Sequence, residues 1–324
     1  MSVSFDRLTE GERERELMRA VRARAFGAEE LAERCLRFPL KIQIQTASPC
    51  NAACAMCPWP ETATSQPQGR MREELYESLL HQLAGRGVER TSLFLMNEPL
   101  VDRRLEAWCA RLKQVVPETR ALIYTNGELL SPERARALVD AGLDEIDISV
   151  IGFDPQTYAR HMRGLDYGRV MAHLDALGAL AARGELGALR LRIVALDLPG
   201  VAEGVAAFRE RTGLDVYLKP CTNRAGNVGE EELHALGAAL AEGASFSACQ
   251  RPFVKAYVLY NGDVALCNCD WRRSTILGNL ERQSLEQIWN GPALRGIRRQ
   301  HLEGSLAPRS LCAGCDYPYQ LDAD

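Results

Sequence analysis

Cys50-Asn51-Ala52-Ala53-Cys54-Ala55-Met56-Cys57 puts three thiols into eight residues, just after the alternating run Lys41-Ile42-Gln43-Ile44-Gln45-Thr46. Period-two alternation predicts a strand over Lys41–Thr46, so the thiols follow its C-terminal end. Soft thiolates are ligands for zinc and for iron–sulfur clusters. Three of them can hold three irons of a cubane and leave the fourth iron without a protein ligand. An open coordination position is what separates a reactive metal centre from a structural one. Zinc needs a fourth ligand, and no His or Cys follows at finger spacing. Three core cysteines that merely lie close together are the plain alternative.

Outward from this stretch the chain alternates strand-like and helix-like segments. Predicted strands are Lys41–Thr46, Thr91–Met96, Ala121–Thr125, Glu145–Val150, Leu189–Ala195 and Asp215–Leu218. Predicted helices between them include Arg72–Leu83, Arg103–Val115, Pro132–Ala141, Tyr167–Ala182 and Val201–Arg211. Such βα alternation implies an α/β fold with a parallel sheet, here a partial (β/α)6 TIM-like barrel over residues 41–228, since six units are visible rather than eight. Functional groups in these folds gather at the C-terminal ends of the strands, where the three cysteines stand.

Residues 1–40 form an N-terminal helical extension, with acidic and basic residues interleaved over about 9–36, Leu17, Val21, Leu31 and Leu36 as an inward stripe, and Gly27 as a break. Over residues 229–324 the rhythm changes. A helix over Glu230–Glu242 precedes Cys249, and Asn261-Gly262 predicts a two-residue hairpin turn between Phe253–Tyr260 and Asp263–Cys267. Ser284–Asn290 and Ala293–Gln300 read as helices, and Cys312-Ala-Gly-Cys315 closes a small cysteine-bearing unit.

The 324 residues suffice for one large or two smaller cores. A net charge of −4 and a pI of about 5.9 give no footprint for nucleic acid. No apolar run reaches membrane-spanning length, and the charged N-terminus is unlike a secretory signal. Eleven cysteines without such a signal point to the cytoplasm, and to metal binding or catalysis rather than disulfides.

The spacing of Cys50, Cys54 and Cys57 resembles that of the radical S-adenosyl-L-methionine (SAM) enzymes, in which the open iron chelates SAM and an electron cleaves it to a 5′-deoxyadenosyl radical. Leu95-Met96-Asn97-Glu98-Pro99 resembles the segment of that family whose glutamate and backbone carbonyls receive the SAM ammonium. The resemblance implies SAM contacts for Glu98 and for Asn97, which replaces the usual glycine. It implies further contacts for Thr125 in Thr125-Asn126-Gly127, for Ser149 near the ribose and for Met56 near the adenine. Arg163, in His161-Met162-Arg163-Gly164, matches an arginine that pairs the SAM carboxylate; a surface helix-end arginine is the bland reading. Cys249, Gly262, Cys267, Cys312 and Cys315 are spaced as in the SPASM/twitch extension of these enzymes, with a cysteine frame similar to that of radical SAM dehydrogenases and epimerases of aminoglycoside biosynthesis. That implies a second, auxiliary 4Fe-4S cluster on Cys249, Cys267, Cys312 and Cys315. A four-cysteine zinc site is the alternative, and Cys269 could replace Cys267.

Cys35 and Cys109 lie in helical patterns and read as small buried hydrophobes. Cys221 and Arg224 follow the sixth strand, at the expected catalytic rim. A thiol is a good hydrogen-atom donor to a carbon radical, so Cys221 favours epimerisation of a hydroxyl-bearing carbon in a sugar or aminocyclitol. Arg224 would bind substrate or assist deprotonation. Oxidation of the same carbon to a ketone, with the auxiliary cluster taking the electron, is the alternative. Decarboxylation of a sugar acid and peptide modification are further ones. A small-molecule substrate and a reducing donor such as flavodoxin or ferredoxin are the expected partners.

Overall fold

Six parallel strands succeed one another along the chain. They are β1 (Lys41–Ile44), β2 (Arg90–Ser92), β3 (Arg120–Thr125), β4 (Glu145–Ser149), β5 (Arg190–Leu196) and β6 (Val216–Lys219), each hydrogen-bonded to the next. The structure, a computed structural model, describes residues 12–23, 37–237 and 248–317. The sheet does not close. Its free β1 edge takes on β7 (Lys255–Val258) in parallel, followed by antiparallel β8 (Asp263–Ala265) and β9 (Ile276–Asn279), to give the order β6-β5-β4-β3-β2-β1-β7-β8-β9. This is the partial α/β barrel expected, with one addition that periodicity does not reveal. The C-terminal hairpin continues the barrel sheet instead of forming a separate one.

The helices between the strands begin where short polar side chains satisfy free backbone amides. Ser131 caps Pro132–Asp140, Asp154 caps Pro155–His161 and Asp166 caps Tyr167–Ala182. The inner strands bury both faces, as parallel sheets covered by helices do: Ile42, Ile44, Ile123, Ile146, Ile148 and Ile193 are all fully buried. Cys109 is buried in the helix Leu105–Val115, as expected. In the N-terminal helix Glu12–Arg22, Leu17 and Val21 face inward, and Arg13 pairs with Glu89 at 3.5 Å. The expectations for Gly27, Leu31, Cys35 and Leu36, and for the end of the helix that starts at Glu230, fall outside the described residues. Among the described residues no helix is long and apolar enough to cross a membrane.

Three elements depart from expectation, one of them the strand expected over Phe253–Tyr260: Phe253 and Val254 end a short helix, Arg251–Val254, with Pro252 in its first turn, and β7 begins only at Lys255. β2 ends at Ser92, not Met96, because Met96 adopts a left-handed backbone (φ 54°) and the Leu95 amide donates to Asn97 Oδ1 at 2.8 Å. The chain thus leaves the ladder to present Asn97 and Glu98. The Asn261-Gly262 turn belongs to a three-residue loop, Tyr260-Asn261-Gly262: Leu259 N donates to Asp263 O at 2.8 Å, and Gly262 takes the left-handed position (φ 85°). That is the bulged hairpin, whose glycine relieves the Cβ clash.

Candidate active site

The cysteine loop after β1 is held from three sides. Ala53 N donates to Arg163 O at 2.8 Å and Ala55 N to His161 O at 2.9 Å, so the end of the helix Pro155–His161 supports it from one side. Asn51 donates to Glu128 at 2.7 Å and accepts from Asn126 Nδ2 at 2.8 Å, which ties it to the loop after β3. Glu98 N donates to Pro49 O at 3.2 Å, which joins it to the segment after β2. The Glu98 carboxylate itself is only 2% exposed and accepts from Leu100 N, Thr125 Oγ1 and Asn126 N at 3.1, 2.7 and 2.8 Å. Burial outweighs these bonds and lifts its pKa to about 7.

These loops open onto a cavity of about 390 Å³ lined by Cys50, Cys54 and Cys57, and by Met56, Asn97, Glu98, Thr125 and Ser149. The structure therefore brings together all the expected contacts of the first site except one. Arg163 is exposed; its Nε donates to Arg160 O at 3.3 Å, and its side chain does not line the cavity. What Arg163 supplies is its carbonyl, under the cysteine loop. Cys221 is also absent from the lining. Its side chain, 7% exposed, packs with the hydrophobic core. Arg224 does line the cavity, from a loop in which Arg224 and Ala225 both hold left-handed backbones (φ 51° and 58°). Such conformations persist only where surrounding structure enforces them.

The donor set suits an iron–sulfur cluster. Burial pushes Cys50 up to about 12 and raises Cys54 and Cys57 as well, so the thiols have no local reason to ionise unless a cationic metal group sits among them. Among the described residues no three His, Cys, Asp or Glu side chains are packed closely enough for a single metal ion. Cys50, Cys54 and Cys57 line one cavity, and three thiolates are the donor set for three irons of a cubane cluster. Asn97 Nδ2, buried and without a hydrogen-bond partner, is a donor left over at the same cavity.

A second, smaller cavity is lined by Cys249, Cys267, Cys312 and Cys315. Cys269 is buried and does not line it. Burial raises Cys249, and lifts Cys312 and Cys315 to about 12, by the same cause as in the first set. Arg251 lines both cavities. Its Nη1 donates to the sulfurs of Cys267 and Cys269 at 3.3 and 3.1 Å, and its guanidinium lies 3.9 Å from the Tyr317 ring centroid. The loop after β6 is the other partition. Asn223 donates to Gly314 O and accepts from Asp316 N, and Asn227 donates to Cys269 O at 2.8 Å. Arg251 and Lys219, which ends β6 and faces the first cavity, belong to none of the motifs in the sequence. The signals for them were positional: two residues after Cys249, and the C-terminal end of a barrel strand.

Residues 44–183 match the radical SAM superfamily model, and residues 249–316 match the SPASM iron–sulfur cluster-binding domain. A curated relative, the S-adenosyl-L-methionine-dependent 2-deoxy-scyllo-inosamine dehydrogenase of Niallia circulans, is 25% identical over 280 residues, covering 85% of this chain and 92% of that protein. The GTP 3′,8-cyclase of Synechococcus sp. (strain CC9902) is 33% identical over 164 residues, but these cover only 47% of this chain and 46% of that one. Among solved structures, BtrN in complex with AdoMet and 2-DOIA shares the fold, with a TM-score of 0.59 and 22% identity over 86% of this chain and 93% of that one. The first domain takes SAM and a 4Fe-4S cluster, and the second an auxiliary iron–sulfur cluster. The chain thus carries a radical SAM domain over residues 44–183 and a C-terminal SPASM-type cluster-binding domain over residues 249–316.

Proposed function

We propose that the enzyme oxidises a hydroxyl-bearing carbon of a sugar or aminocyclitol to a ketone. The observation that carries this reading is Arg251, which lines both the cavity of the first cysteine set and that of the second. A substrate in the first cavity therefore lies one side chain from the auxiliary site. Support also comes from the dehydrogenase relative, whose match spans nearly its whole length.

In this reading Cys50, Cys54 and Cys57 hold the first cluster, and Glu98, Asn97, Met56, Thr125 and Ser149 hold SAM, with the ionised Glu98 receiving its ammonium. Cys249, Cys267, Cys312 and Cys315 hold the auxiliary cluster; the cavity lining favours Cys267 over Cys269. When bound, SAM and its cluster supply hydrogen-atom abstraction from a substrate carbon, and the auxiliary cluster a place for one electron. The protein orients the carbon, excludes water and holds substrate oxygens with Arg224. The radical SAM barrel then spans residues 41–228 and the auxiliary unit residues 229–324. The enzyme works in the cytoplasm with a flavodoxin- or ferredoxin-like reductant.

Epimerisation through Cys221 requires that thiol to face the substrate, and it packs into the core instead. The test is incubation of reconstituted enzyme with an aminocyclitol and amino-sugar panel in deuterium oxide. Loss of two mass units is expected, with Cys221→Ala making the same ketone. Solvent deuterium retained at carbon, with ketone appearing only in Cys221→Ala, establishes epimerisation and overturns the proposal.

A further inference from the structure

The chain has 39 lysines and arginines, yet only four are lysine: Lys41, Lys113, Lys219 and Lys255. Three of those four, Lys41, Lys219 and Lys255, line the cavity of the first cysteine set. Arginine cannot give up its proton in a protein, whereas a buried lysine can. Lys41 and Lys255 open β1 and β7, at the strand ends remote from the cysteine loop. Lys219 closes β6, and in a parallel arrangement its end is the one shared with the cysteine loop, Glu98, Thr125 and Ser149.

We propose that Lys219 is the catalytic base of the oxidation, receiving the hydroxyl proton of the substrate carbon that has lost its hydrogen atom. The inference rests on the dehydrogenase reading above and extends it to a named proton acceptor. The other groups at this end are engaged or unsuitable. Glu98 already accepts three hydrogen bonds. Arg224 and Arg251 are permanently cationic. Tyr124, also in the lining, is held as a neutral phenol, since burial and Asp147 both raise its pKa. Asp147 is bound through both oxygens by Arg192, at 2.9 and 2.6 Å. Lys219 is in no ion pair among the described residues; its Nζ lies 5.9 Å from the Tyr124 ring centroid.

The groups facing Lys219 come from every neighbouring element: Tyr124 on β3, Asp147 on β4, Arg192 on β5, Arg224 on the following loop and Arg251 beyond β6. Burial, then Arg224, and also Arg251 and Arg192 push its pKa down to about 8, against the pull of Asp147. The neutral form of Lys219, which burial and the neighbouring guanidinium groups make more accessible, is the one that enters the step. The O–H bond of the carbon radical breaks, its electron pair stays on oxygen, and an N–H bond forms at Nζ. The auxiliary cluster that Cys249, Cys267, Cys312 and Cys315 would hold would supply the acceptor for the one remaining electron as the C=O bond forms. Lys219 then returns its proton to water.

Two variants and a labelling experiment test this. With substrate deuterated at the oxidised carbon, Lys219→Met and Lys219→Arg should still move deuterium into 5′-deoxyadenosine, while ketone formation falls roughly 100-fold or more, the usual contribution of a general base. Wild-type ketone formation should rise with pH through a limb near 8 that both variants lack. Ethylamine should partly restore Lys219→Met. Independently of turnover, trace acetylation of the cluster-loaded enzyme across pH, read by peptide mass spectrometry, should give Lys219 a midpoint near 8. Undiminished ketone in Lys219→Arg, loss of deuterium transfer together with ketone, or a Lys219 midpoint in the ordinary lysine range overturns the assignment. Absence of ketone from the wild type is a different result and overturns the dehydrogenase reading itself.

Discussion

Glu98 and the cysteines beside it show how much a single residue carries. A carboxyl buried with a pKa lifted to about 7 is half-neutral at neutral pH, and only its ionised form attracts an ammonium. SAM binding to wild-type enzyme should therefore weaken as pH falls below 7, whereas Glu98→Gln binds weakly at every pH; isothermal titration at several pH values measures both. For folding the sign is opposite. A carboxyl whose folded pKa stands above its ordinary 4.5 contributes stability below 4.5 and loses that contribution as pH rises through about 7, so Glu98→Gln should flatten the melting temperature across that window. Cys54→Ala should leave only the auxiliary cluster, roughly four irons per chain in place of eight. The first cysteine set was legible in the sequence because a local spacing announces it, and the second, spread from Cys249 to Cys315, only through its resemblance to the SPASM/twitch frame. Arg251 and Lys219 were not, because their positions are created by folding: Arg251 meets Cys267 from sixteen residues away and Tyr317 from sixty-six.

Among the elements, strand identities were legible wherever alternation or apolar runs lasted long enough, and failed at the ends. β2 stops early because the left-handed Met96 turns the chain toward the site, a departure made for chemistry rather than for sheet pairing. The parallel contact of β7 with β1 was invisible, since neither strand carries any mark of its partner. It has a measurable consequence. A chain truncated after Val228 bares the β1 edge, with unpaired amides and carbonyls beside Ile42 and Ile44. Such a barrel is expected to aggregate, and size-exclusion chromatography of residues 1–228 against the full chain reads the outcome. At the bulged hairpin, Gly262→Ala forces a Cβ into a left-handed backbone and should destabilise the fold by about 1 kcal/mol in chemical denaturation.

Across the whole molecule, a single sheet joins two sets of cysteines, with Arg251 and the loop after β6 between their cavities. Two clusters in distinct surroundings should give two reduced paramagnetic signals, of which added SAM shifts only the one at Cys50, Cys54 and Cys57; electron paramagnetic resonance with and without SAM decides this. The register that pairs Lys41 with Lys255 and Ile44 with Val258 then acts as a ruler. β1 leads into one cysteine set and β7 stands beside the other, so sliding β7 by a single residue would displace the auxiliary site by about 3.3 Å. Electron tunnelling decays exponentially with distance, so the proposed electron transfer to the auxiliary site would have its rate written into the hydrogen-bond register of two strands.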